Sequence, residues 1–137
     1  MIVKLTPGDP RPIYVQIMDE IRRAIVLGTL APDDPLPSTR ELARDLRVNP
    51  NTVQLAYREL EHLGVAYVKR GQGTYVANSN TPEKEHRRLV RDVSARAVRD
   101  AYRHGITIEQ LIAALNAEAA RKPQRGKSSN TNEESDR

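Results

Sequence analysis

The dipeptide Asn49–Pro50 restricts the fold of this chain more than any other feature of its sequence. A proline suits the first position of a helix, where its missing N–H has no partner to lose, but it pushes the preceding residue out of helical geometry. The apolar pattern from Leu42 to Leu63 is therefore cut here into two helices. Upstream, Ser38, Thr39, Arg40 and Glu41 read as a capping box: the serine hydroxyl accepts from a backbone N–H and the glutamate reaches back. Leu42, Ala43 and Leu46 form the inner side of the short helix that follows. Downstream, Asn49 caps and Pro50 opens a second helix, whose Val53, Ala56, Tyr57, Leu60 and Leu63 face inward until Gly64 stops it. Two helices joined by about three or four residues form a helix-turn-helix.

The flanking segments complete a module. Ile13, Ile17, Ile21, Ala24 and Ile25 recur at helical spacing between Pro12 and Leu27, with Gly28 as a left-handed stop. Thr29 to Pro37, with its prolines and aspartates, reads as loop. After Gly64, Val65 to Val68 and Thr74 to Ala77 read as short strands joined by a turn of Arg70, Gly71, Gln72 and Gly73. A hairpin directly after a helix-turn-helix is a wing. Lys69 and Arg70 stand at its tip beside glycines that let the backbone approach a partner closely. The expected fold class is mainly α with a small β-hairpin: a winged helix-turn-helix over residues 1–78, followed by an α-helical hairpin over 79–121.

In that second segment Leu89, Val90, Val93, Ala97, Ala101 and Tyr102 lie on one predicted helix. Gly105 ends it, Thr107 with Gln110 forms a second capping box, and Leu111, Ile112, Leu115 and Ala119 continue an apolar face. About 40 residues bury too little surface to fold alone, so these faces call for a partner. A second copy is the simplest one, because twofold symmetry also matches two half-sites on palindromic DNA. The expected dimerisation residues are Leu89, Val93, Ala97, Leu111, Ile112 and Leu115. Residues 122–137 carry no large apolar side chain and read as a disordered tail.

The blocks PIYVQIMDEIRRAI, LPSTRELARDL, NTVQLAYRELEHLG and RGQGTYV stand in order between Pro12 and Val76 and resemble the DNA-binding domain of the GntR family of bacterial transcription regulators. The resemblance implies DNA contacts by Arg40, Asn49, Asn51, Thr52, Gln54, Arg70 and Gly71, and Lys69 adjoins the last two. Some members carry arginine at the positions of Pro50 and Gln54. The Gln54 amide suits adenine, whereas a guanidinium prefers guanine. The two-helix appendage resembles the YtrA-like subfamily, whose members pair through it and commonly repress transporter operons. The implied protein is a homodimeric repressor of the cytoplasm that binds double-stranded operator DNA, with a small-molecule effector as a further partner of unknown identity.

Composition narrows the rest. With no cysteine among 137 residues the chain has no disulfide, thiolate nucleophile or cysteine-ligated metal. No run is apolar enough for a membrane span, and the start lacks the layout of a signal peptide. Neither a phosphate loop nor a catalytic constellation stands out, and His62, His86 and His104 are too scattered for a metal site, so no enzymatic activity, cofactor or metal is expected. Net charge is +4, yet residues 1–80 hold ten basic against nine acidic residues, so DNA binding must come from placement rather than bulk charge. That near balance is what favours the alternative, a winged-helix protein-interaction module without sequence-specific DNA binding. Arg87, Arg88, Arg91, Arg96, Arg99 and Arg103 alternate with Glu83, Glu85, Asp92 and Asp100 and read as a solvated face; Lys4 and Arg11 are likewise read as solvated.

Overall fold

A computed structural model describes residues 3–121. Its elements run α1 (Ile13–Val26), α2 (Thr39–Leu46), α3 (Pro50–His62), β1 (Ala66–Lys69), β2 (Gly73–Val76), α4 (Pro82–Arg103) and α5 (Ile108–Arg121). The chain divides into two compact units, Met1–Leu89 and Val90–Arg137, so the division falls inside α4 rather than at the polar stretch around residue 80. The tail expected to be disordered lies outside the described residues.

Local capping works as the side chains dictate. Ser38 Oγ accepts from the Glu41 backbone N–H at 3.1 Å, and Asn49 Oδ1 accepts from the Asn51 N–H at 2.8 Å. Each satisfies a donor that the first turn of a helix leaves without a partner. At the end of α3, Gly64 takes φ +77°, and the Val65 N–H reaches back to the Leu60 carbonyl at 2.9 Å. The end of α2 differs. Arg47 takes the left-handed conformation (φ 57°) that glycine usually supplies, and the Val48 N–H bonds the Ala43 carbonyl at 3.0 Å. That conformation costs a side-chain-bearing residue about 1–2 kcal/mol, and nothing in the arginine itself announces it.

The core of the first unit gathers Ile17, Ile21 and Ile25 from α1, Leu42 from α2, Val53 and Leu60 from α3, and Val65 and Val76 from the hairpin. Val3 and Leu30 also join it from outside the regular elements. Burying side chains of this size contributes roughly 1.5–3 kcal/mol each. The hairpin pairs antiparallel with Ala66 opposite Val76 and Lys69 opposite Gly73.

The segment expected to be plain loop is pinned along the outer edge of β2. The Asp33 and Leu36 N–H groups donate to the carbonyls of Val76 and Thr74 at 2.9 and 2.8 Å, and the Val76 N–H donates to the Asp34 carbonyl at 2.8 Å. Tyr67 adds a side-chain tether by donating its hydroxyl to Asp33 Oδ1 at 2.8 Å, and its ring stacks on Tyr75 at 5.7 Å. These bonds occupy an edge that would otherwise stay open to another chain.

Tyr57 fixes the approach to α2, its hydroxyl donating to the Pro37 carbonyl at 2.6 Å. Burial raises its pKa well above the ordinary tyrosine range. The folded state therefore keeps the Tyr57 proton, while the unfolded chain releases it above pH about 10. Stability gained from the neutral phenol is present below that pH and is lost as pH rises beyond it. Tyr57→Phe is expected to cost about 0.5–1.5 kcal/mol at neutral pH and to flatten the alkaline decline in stability, checked by urea unfolding at pH 7 and pH 11.

Two residues read as solvated are otherwise engaged. Arg11, although exposed, pairs with Asp9 at 2.8 Å and also with Asp19. Glu85 is fully buried, because its carboxylate meets Arg22 of α1 at 2.5 Å. Alternation of charges along α4 could not reveal this, since the deciding partner lies 63 residues away. In the second unit, Thr107 and Gln110 form both halves of the expected capping box, at 2.9 and 3.1 Å.

Candidate nucleic-acid interface

The residues expected to touch DNA fall on three elements of the first unit. Arg40 is the second residue of α2 and is exposed. Asn49 is exposed at the cap of α3, with its Oδ1 committed to the Asn51 N–H. Asn51 and Gln54 are exposed, whereas Thr52 is half-buried. Spacing explains the pattern: positions 51, 54 and 58 follow one another at helical intervals and share a face, opposite the buried Val53, Ala56 and Leu60. Arg58 therefore stands one turn beyond Gln54 and carries positive charge along the same exposed face. Sequence reasoning missed it, although the interval of four was legible. Exposed Arg44 and Arg47, on and just after α2, were missed as well.

The hairpin brings a second basic group alongside. Lys69 and Thr74, at the wing, share a cleft of about 410 Å³ with Ser38 and Thr39 at the start of α2, beside Arg40. The wing tip and the α2 N-terminus are thus neighbours, although about 30 residues separate them in the chain. Lys69 holds its ammonium 5.1 Å from the centre of the Tyr75 ring, a cation–π contact that leaves the charge outward. Arg70 and Gly71 are exposed at the turn, where Gly71 takes φ +77° with no atom near the position of an added Cβ. A side chain there is strained by backbone conformation alone.

Electrostatically, the N-terminal ends of α2 and α3 present the positive ends of their helix dipoles, and Arg40, Lys69 and Arg70 add full charges nearby. This combination suits phosphate oxygens, while the amides of Asn51 and Gln54 suit base edges. At the other end of α3, His62 lies 3.7 Å from Glu59.

A short helix-turn-helix with a hairpin folded back beside it defines a winged helix-turn-helix protein. The chain belongs to the GntR family: the pattern described as "Bacterial regulatory proteins, gntR family" matches residues 13–76, from α1 through β2. It is 41% identical over 103 residues to the HTH-type transcriptional regulator YhcF of Bacillus subtilis, covering 74% of this chain and 85% of that one. It is 36% identical over 112 residues to the HTH-type transcriptional repressor YtrA of the same organism, covering 80% and 86%. Among solved structures it is similar to YtrA from Sulfolobus acidocaldarius, a GntR-family transcription factor, with a TM-score of 0.55 and 39% identity over 72% of this chain and 98% of that one. The resemblance read from the motif blocks and the mainly helical winged fold are both borne out. These relatives are transcriptional regulators. Among the described residues, no helix is long and apolar enough to cross a membrane.

Proposed function

We propose that this chain represses transcription in the cytoplasm by binding a palindromic operator as a homodimer, one winged helix per half-site. The observation that carries this reading is the continuous exposed polar face of α3, with Asn51, Gln54 and Arg58 in line, beside a wing tip and an α2 start that supply Lys69, Arg70 and Arg40. In this reading residues 1–78 bind DNA, with α3 in the major groove. Arg40, Lys69, Arg70, Gly71 and the cap residue Asn49 set position on the phosphates, and Asn51, Thr52 and Gln54 meet base edges. Residues 79–121 dimerise through Leu89, Val93, Ala97, Leu111, Ile112 and Leu115. The exposure of Val93, Ile112 and Leu115 in the single chain, at 61%, 53% and 54%, supports a second copy as their cover. Repression is supported by the similarity to the repressor YtrA. A small-molecule effector acts in this scheme only by binding two states of the dimer unequally.

The test is a titration of the full chain against a duplex selected with it from a random-sequence pool, at several salt concentrations. Affinity is expected to fall steeply as salt rises, because phosphate contacts release counterions. Arg40→Ala and Arg70→Ala are each expected to weaken binding by roughly 5- to 100-fold and to reduce the salt dependence by about one charge, with the melting temperature unchanged. Unchanged affinity removes those residues from the interface. Failure to select any sequence, with weak salt dependence, favours the protein-interaction alternative instead.

A further inference from the structure

Tyr57 sits three positions after Gln54 on α3 but, at 5% exposed, is closed off from any partner of the helix. Its hydroxyl donates to the Pro37 carbonyl at 2.6 Å, which joins α3 to the residue just before the Ser38 cap of α2. Among the described residues, Tyr57 is the one side chain of α3 that hydrogen-bonds to the segment ahead of α2. That segment is also held from its other side, because the Leu36 N–H donates to the Thr74 carbonyl of β2 at 2.8 Å. Pro37 is thus clasped between α3 and the wing. Directly after it, Ser38 caps α2 and exposed Arg40 stands in the first turn.

The remaining ties between α2 and α3 are of a different kind. Leu42 and Ala43 share the core with Val53, Ala56 and Leu60. Apolar burial of this sort holds the two helices together but is non-directional. A hydrogen bond weakens steeply as its angle closes or its length grows, so the Tyr57 hydroxyl specifies where the start of α2 lies along α3.

We propose that Tyr57 is a positioning residue for sequence discrimination: through the Pro37 carbonyl it holds Arg40 at a fixed offset from Asn51 and Gln54, without touching DNA itself. The inference rests on the operator-binding reading proposed above. Phosphate contacts set the register of a protein on the duplex, and base-edge hydrogen bonds form only where that register brings donor and acceptor together. On an unrelated sequence the base contacts are absent and the offset is immaterial. On the operator it decides how well Asn51 and Gln54 meet their bases.

The experiment titrates the full-length wild type, Tyr57→Phe, Arg40→Ala, the double variant and Tyr67→Phe against the selected duplex and against a scrambled duplex of the same length and composition. All titrations share one salt concentration, well below the melting temperature of each variant. The readout is the ratio of the two affinities. Partial unfolding lowers both affinities by the same factor and leaves the ratio alone, so a merely structural role does not move it. Tyr57→Phe is expected to lower the ratio by roughly 3- to 10-fold, with affinity for the scrambled duplex within about twofold of wild type. In the Arg40→Ala background the same substitution is expected to change the ratio by about twofold or less, since the group it positions is gone. Tyr67→Phe removes a hydroxyl whose bond, to Asp33 Oδ1, does not reach α3, and is expected to keep the wild-type ratio within about twofold. A wild-type ratio in Tyr57→Phe, an equal loss with and without Arg40, or an equal loss in Tyr67→Phe overturns the positioning role and leaves the operator reading standing. A wild type that selects no sequence overturns both.

Discussion

Glu85→Ala is expected to lower the thermal midpoint of this protein by roughly 12 to 40 °C, the shift that corresponds to losing about 3–5 kcal/mol in a folding unit of this size. The size of the effect comes from what stays behind. Alanine leaves the Arg22 guanidinium, 5% exposed, without the carboxylate that meets it at 2.5 Å, and a buried cation deprived of such a partner is far costlier than the pair was beneficial. It also strips the Asn80 side-chain amide of its acceptor, adding a second buried polar group whose bond is broken. Differential scanning calorimetry on the single variant, and on Arg22→Met/Glu85→Leu, checks the cause as well as the size. Removing both charges is expected to recover most of the lost stability, because no charge is then left buried at this point. A single variant that melts within a few degrees of wild type would mean that water reaches the carboxylate.

If the proposed pairing holds, Ile112→Glu/Leu115→Glu is expected to leave the chain monomeric and to weaken binding to the selected duplex by a factor of roughly 10² to 10⁴. That range is what linking two binding modules commonly adds over one module alone. Both side chains are more than half exposed in the isolated chain, so replacing them leaves the fold close to intact, within about 0.5 kcal/mol. Set against a second copy, the same substitutions place carboxylates where apolar side chains were to be covered, and desolvating unpaired charge blocks association. Light scattering behind size exclusion reads the oligomeric state, and the titration used for Arg40→Ala reads the affinity. A variant that stays dimeric locates the self-association face elsewhere. One that becomes monomeric yet binds with wild-type affinity removes pairing from the mechanism.

The elements themselves were legible because their signals are local. Ser38 and Asn49 reach only two or three residues to cap a helix, Pro50 excludes helical geometry at its immediate neighbour, and Gly64 turns the chain within one peptide unit. Apolar periodicity then told the inner side of α3 at Val53, Ala56, Tyr57 and Leu60, so the exposure of Asn51 and Gln54 opposite Val53 followed from spacing alone; Leu63, expected to face inward too, lies past the end of α3 and is 46% exposed. Arg58 belonged to the same pattern and was overlooked, not hidden.

What the sequence determined by itself is therefore the order of elements, most of their ends and the inner faces of α1 to α3, together with the residue types on the exposed face of α3. The tertiary structure decided which of those surfaces meet. It set the wing tip beside the start of α2, joined residues 33–36 to β2, hung Tyr57 on the Pro37 carbonyl, and took Glu85 out of solvent onto Arg22. Each of these joins residues from 20 to more than 60 positions apart. The physical reason for the divide is range. Capping, proline sterics and helical phase act over a few bonds and are written in neighbouring letters, whereas the burial of a charge depends on whether a distant side chain arrives to pair with it, which only the packed chain specifies.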